Sequence, residues 1–152
     1  MRNKNIVILK ELLVGEKNIV IIPHTSPDGD ALGSCLALQH ILNETGHKTN
    51  VISPNEPPYF LKWTPGCNKI IYYDKDKNLC LNKIKNADII FTLDFNDLSR
   101  IGEMDDPVNS SKASIVMIDH HQNPKNYADI VFSDPNIAVS YTHLTLPTIY
   151  SV

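Results

Sequence analysis

The sequence predicts a three-layer α/β domain, a mainly parallel sheet flanked by helices. Short, wholly apolar, β-branched runs alternate with segments of helical periodicity, as in strand–helix–strand units. The strand runs lack the apolar/polar alternation of a half-exposed sheet, so both faces must be covered. The three strongest of them lead directly into acidic and imidazole side chains. In a parallel sheet all strand C-termini share one edge, where such folds place their sites.

In chain order, Ile6, Leu9, Leu12 and Leu13 recur at helical spacing and predict an amphipathic helix ending near Gly15. Ile19-Val20-Ile21-Ile22 is the first buried strand, followed by turn residues 23–29. A second helix is expected over 30–45, with Leu32, Cys35, Leu36, Gln39 and Leu42 on one face and Gly46 beyond its end. Residues 50–53 form a weak strand, 54–58 a loop, 69–73 a further strand candidate and 79–85 a short helix. Residues 88–93 and 114–118 are the clearest buried strands. No internal repeat or low-complexity linker interrupts them.

The bulk properties fit one soluble domain. The chain has 152 residues, 42% hydrophobic and 20% charged, with a formal charge of −3. That balance argues against a nonspecific nucleic-acid binder, yet admits small anionic substrates where a cation supplies local positive charge. Cys35, Cys67 and Cys80 are an odd set without a close pair, which suits a reducing compartment. The N-terminus is too short and too charged for a signal peptide, and no run approaches a membrane span, so a cytoplasmic protein is expected.

The three strand ends carry His24, Asp28 and Asp30; Asp94; and Asp119, His120 and His121. Each piece alone has a plainer reading. Asp28-Gly29-Asp30 suits a turn with a helix N-cap, Asp94 suits a cap, and His120-His121 suits a chance doublet. Together they converge on one sheet edge, where so many carboxylates would repel one another without a cation. Mixed Asp/His ligation suits manganese or a similar ion better than magnesium or structural zinc. A pair of such ions fits phosphoryl chemistry.

Three segments carry a family resemblance. His24-Thr25-Ser26-Pro27-Asp28-Gly29-Asp30-Ala31-Leu32-Gly33-Ser34 resembles the first motif of the DHH phosphoesterases. Leu93-Asp94-Phe95-Asn96-Asp97-Leu98-Ser99-Arg100-Ile101-Gly102 resembles the second, and Ile118-Asp119-His120-His121 the motif that names the family. The form of the first motif is most similar to the oligoribonuclease and pAp-phosphatase branch, which degrades very short RNA and dephosphorylates 3′-phosphoadenosine 5′-phosphate (pAp). The resemblance implies a Rossmann-like DHH domain and two divalent metal ions, manganese by preference. It implies that His24 and Asp28 hold one ion, Asp30 and His120 the other, and that Asp94 bridges them. Asp119 is expected to orient His120, and His121 to lie beside the phosphate as a binding or proton-transfer group. Arg100 is expected either to steady a substrate phosphate or to pair with a nearby acid, and Asp97 to be a solvated or capping acid. Short RNA or nucleotide phosphates are the implied partners, with no membrane, and a homodimer is compatible with a full-length parent.

The resemblance covers about residues 1–138, read as a partial DHH domain. The fourth motif, with a further metal-binding aspartate, and the C-terminal substrate domain are not found. Residues 139–152 depart from the pattern. Back-translated as GTC TCT TAT ACA CAT CTG ACG CTG CCG ACG from Val139, they match a transposon-based sequencing adapter, and the tail is expected to be non-native. His143 is then no ligand, and the chain is expected to be an inactive fragment of an enzyme. The alternatives are another DHH-superfamily phosphohydrolase, such as a manganese-dependent inorganic pyrophosphatase or a cyclic-dinucleotide phosphodiesterase, and a metal- or nucleotide-binding module without turnover. Cys35 and the Trp63 region read as core packing, and Lys62, Lys69, Lys75 and Lys77 as solvated charge.

Overall fold

The computed structural model describes residues 2–134. The expected tail at 139–152, with His143, lies outside the described residues. Six strands form one parallel sheet: β1 (Asn18–Pro23), β2 (Lys48–Ser53), β3 (Ile71–Tyr72), β4 (Ile89–Leu93), β5 (Ser114–Asp119) and β6 (Ile130–Ser133). Their spatial order is β3-β2-β1-β4-β5-β6. The chain therefore builds outward from β1 in one direction and then restarts at β4 in the other. That reversal opens a crevice beyond the C-terminal ends of β1 and β4, the usual ligand position in open α/β sheets.

Because side chains alternate across a strand, each apolar run feeds two cores. Ile19 and Ile21 pack with Leu32, Cys35, Leu36 and Leu42 of α2 (Gly29–Glu44), and Ile8, Leu9 and Leu12 of α1 (Arg2–Leu12) close that side. Val20 and Ile22 point oppositely, against Cys80 and Ile84 of α3 (Lys77–Lys85) and Val108 of α4 (Asp105–Asn109). This is the three-layer arrangement predicted, with the predicted face of α2 buried, Gln39 included. Gly46 follows α2 at φ +91, where a side chain would be strained.

Several elements differ from the sequence reading. Helix α1 stops at Leu12 rather than near Gly15. The strand expected over 69–73 contracts to two residues, because Cys67–Lys69 winds into a 3₁₀ turn. Strand β6, α4 and the 3₁₀ segment Leu98–Met104 were not anticipated. The three cysteines are free and buried. Trp63 is not packed in the core; it is 78% exposed, with Tyr59 at 88% and Phe60 at 70% beside it. Among the described residues no helix is long and apolar enough to cross a membrane.

Ile21 is fully buried on β1. Ile21→Ala should lower unfolding free energy by about 2–5 kcal/mol in urea denaturation, whereas Val7→Ala, at an exposed position of α1, should change it by less than about 0.5 kcal/mol.

Candidate metal centre

Three loops meet beyond the sheet's C-terminal edge: residues 24–28 after β1, 94–97 after β4 and 120–125 after β5. Each contains one non-glycine residue in the left-handed region, namely Ser26 (φ 52), Asp94 (φ 64) and Asn123 (φ 58). Such backbone costs of order 1 kcal/mol or more and persists where its surroundings hold it. Here they do. Asp94 N–H donates to the Ile118 carbonyl (3.0 Å) and Thr25 N–H to the Arg100 carbonyl (2.8 Å). Asn96 Nδ2 donates to the Gln122 carbonyl at 2.6 Å, and Lys125 N–H returns a bond to the Asn96 carbonyl at 2.8 Å. Tyr127 stacks on Phe95, its hydroxyl 2.9 Å from Thr92 Oγ1.

Asp94 is the centre of the assembly. Its carboxylate is 4% exposed and presents one oxygen to each neighbour: Oδ2 lies 3.9 Å from His24 Nε2, and Oδ1 lies 3.0 Å from His120 Nε2. Asp28 Oδ2 stands 4.0 Å from His24 Nε2, and Asp30 Oδ2 stands 3.9 Å from His120 Nε2. His24 Nδ1–H donates to the Thr25 carbonyl at 2.8 Å, which leaves the Nε2 lone pair facing the carboxylates. Asp28 serves two purposes at once. Its Oδ1 caps α2 by accepting from Asp30 and Ala31 N–H, each at 3.0 Å, while its other oxygen faces His24. The plain cap reading and the ligand reading of that motif are thus compatible.

The donor chemistry fits divalent cations. His24, Asp28 and Asp94 each offer a ligand atom within 4.8 Å of the others, and so do Asp94, His120 and His121. The carboxylates concentrate negative potential on the face of α2 below. Burial pushes the Cys35 thiol well above its usual range, and the charges of Asp94 and Asp30 push it further.

One expected role changes. Asp119, fully buried, does not orient His120; it holds His121, accepting from the ring Nδ1 at 2.7 Å and from the backbone N–H at 2.9 Å. Asp119 and His121 are two residues apart and share a side, whereas His120 between them faces Asp94. Asp97 is a cap, its Oδ1 accepting from Ser99 N–H at 3.0 Å, and that bond holds its carboxyl below the usual range. The Arg100 side chain is exposed and makes no ion pair among the described residues. Thr25, Asn55, Asn96 and Tyr127 brace the loops and were given no role from sequence.

The N-terminal domain model of the DHH family matches residues 18–147. The chain belongs to the DHH family. It is 28% identical over 116 residues to the bifunctional oligoribonuclease and PAP phosphatase NrnA of Bacillus subtilis, and 26% identical over 134 residues to the NrnA of Thermus thermophilus. These alignments cover 76% and 88% of this chain but 33% and 37% of the relatives, so the chain spans about a third of their length. An exopolyphosphatase-related protein from Bacteroides fragilis superposes with a TM-score of 0.93 at 40% identity, covering 97% of this chain and 43% of that one. RecJ from Thermus thermophilus, solved with Mn2+, shares the fold at a TM-score of 0.50 and 15% identity, over 89% of this chain and 17% of its own.

Asp94 and Asp28 bring carboxylate oxygens within 4.8 Å of each other, and like charges so close repel. Asp94→Asn keeps the side-chain shape and tolerates φ 64. It should raise metal-free stability by on the order of 1 kcal/mol. Excess manganese at a hundred times its Kd should stabilise the native chain by about 2.7 kcal/mol for each ion bound and the variant by little. Equal manganese-induced shifts in thermal denaturation would count against Asp94 as a ligand.

Proposed function

We propose that this chain is the metal-binding domain of a two-cation phosphoesterase that hydrolyses short oligoribonucleotides and pAp. The observation that carries this reading is Asp94: one buried carboxylate facing His24 with one oxygen and His120 with the other. A bridging ligand of that kind serves a pair of ions a few ångströms apart. His24 and Asp28 would complete one position, and Asp30 and His120 the other. When bound, the cations supply charge neutralisation at phosphoryl oxygens and lower the pKa of an attacking water. Manganese suits the mixed imidazole and carboxylate donors.

The protein's own groups supply positioning and proton handling. Asp119 fixes the His121 ring through Nδ1, so that Nε2 is free to take up a proton and, as the imidazolium, would donate it to a substrate phosphoryl or leaving oxygen. With its side chain 42% exposed, His121 is open to a ligand while its anchor is sealed from water. Arg100, exposed beside the Thr25 backbone, is suited to a bidentate grip on a second phosphate. The oligoribonuclease and pAp reading over a pyrophosphatase or cyclic-dinucleotide phosphodiesterase is supported by the first-motif sequence and by the two NrnA relatives. A cytoplasmic setting is proposed with it. The chain is proposed as a metal-binding domain that gains full turnover only when a substrate-gripping domain covers its open side.

Isothermal titration should find two manganese ions per chain, and Asp94→Ala should lose both because its ligand is shared. In an enzyme carrying this domain with its partner domain, manganese-dependent release of phosphate from pAp and of mononucleotide from a diribonucleotide should fall below detection in Asp94→Ala. Asp119→Asn should lower kcat about 10- to 100-fold with manganese binding retained. A protein that binds two ions yet turns over neither substrate would favour the other phosphohydrolase readings, and one that binds none would favour a module without metal chemistry.

A further inference from the structure

Beside the metal centre stands a surface that the two-cation chemistry does not use. Pro57 and Pro58 stiffen the entry to a 3₁₀ turn at Tyr59–Leu61, which carries Tyr59, Phe60 and, just beyond, Trp63 into solvent. Their exposures of 88%, 70% and 78% make them the three exposed aromatic rings among the large apolar side chains of the described residues. Leu61, between them, turns inward onto the core cluster and lies 3.9 Å from where a Cβ on Gly29 would be. Gly29 separates Asp28 from Asp30. The same loop is tied to the metal loop by Asn55, whose Oδ1 accepts from Ser26 N–H at 2.7 Å. Lys62 and Lys75 both clamp Glu56, and their ammonium groups hold its carboxyl at about 2.

Exposed apolar rings on a braced loop call for an occupant. Resting on the phosphoesterase reading above, we infer that Tyr59, Phe60 and Trp63 form a stacking platform for the nucleobase of a ligand whose phosphate sits at the metal centre. Three arguments select a nucleobase. The turn that carries the rings is seated against Gly29 through Leu61 and tied to Ser26 through Asn55, which sets it beside the loop that holds Asp28 and Asp30. Its charge does not repel a polyanion: Lys62 and Lys75 offset Glu56 and the neighbouring Asp74, and the exposed Lys69 has no ion pair among the described residues. Stacking accepts any base, as an enzyme on short RNA of mixed sequence requires. The platform would therefore separate nucleotides from inorganic phosphates at a centre whose metal chemistry does not distinguish them.

Trp63 is the single tryptophan of the chain, so its fluorescence reports on the platform directly. The chain is titrated with adenosine 5′-monophosphate and with base-free ribose 5-phosphate, with manganese present and with absorption corrected against N-acetyltryptophanamide. Adenosine monophosphate should quench Trp63, and ribose 5-phosphate should not. Tyr59→Ala and Phe60→Ala, both exposed and so not expected to disturb folding, should each weaken nucleotide binding by about 5- to 150-fold and leave ribose 5-phosphate binding unchanged. Equal responses to both ligands, or full nucleotide affinity in the Tyr59→Ala/Phe60→Ala double variant, would overturn the platform. So would a dimer on size exclusion that dissociates in Trp63→Ala while nucleotide leaves fluorescence untouched, which would assign the rings to self-association. The readout needs no turnover: base-dependent quenching in a protein that fails to hydrolyse pAp sustains the platform while the catalytic reading fails.

Discussion

The placement of one carboxylate, Asp94, governs the arrangement of everything near it. It sits where β4 ends at the reversal of sheet order, in a left-handed backbone conformation, nearly sealed from water and between two imidazoles. A buried carboxylate beside other carboxylates is unfavourable unless charge is supplied to it. The fold invests much of its loop hydrogen bonding in keeping it there. The Ile118 carbonyl fixes its backbone, Asn96 ties its loop to that of His120 and His121, and Tyr127 fills the space beneath through Phe95. Under the proposed two-cation reading, these restraints would hold the site ready before a cation and substrate arrive.

The sheet explains why residues seventy and more positions apart can share this site. Parallel pairing puts the ends of β1, β4 and β5 side by side, with Pro23 opposite Leu93 and Leu93 opposite Ile118. His24, Asp94 and Asp119 each follow or end those paired positions. The two apolar cores hold the strands rigidly from both faces, so the loops inherit a precise starting geometry from packing rather than from their own sequences. The site's chemistry and the core's hydrophobicity are therefore linked through strand register. A register slip of one residue would turn Asp94 and Asp119 to opposite faces.

Much of this was legible in the sequence because it depends on periodicity. Continuous apolar runs announced buried parallel strands, and ligand-like residues directly after three of them announced a shared edge. The five expected ligands, His24, Asp28, Asp30, Asp94 and His120, are brought together. What the sequence did not reveal follows from local geometry that periodicity does not encode. Asp119 reaches His121 rather than His120 because alternate residues share a side at the end of a strand. The Trp63 region reads as core packing from the sequence, but the 3₁₀ turn before it sets only Leu61, partly buried, against the core and leaves Tyr59, Phe60 and Trp63 in solvent. β6 is four residues long and lies at the sheet edge, and Asn55 and Asn96 act through single hydrogen bonds between distant loops.

The central claim is that Asp94 is shared between two cations. Anomalous diffraction from a crystal of this chain soaked in manganese tests it most directly. The account predicts two peaks a few ångströms apart, one on each side of the Asp94 carboxylate, the first against His24 and Asp28 and the second against Asp30 and His120. A single peak that leaves one of Asp94's oxygens without a metal contact, or peaks only at surface carboxylates, would contradict it.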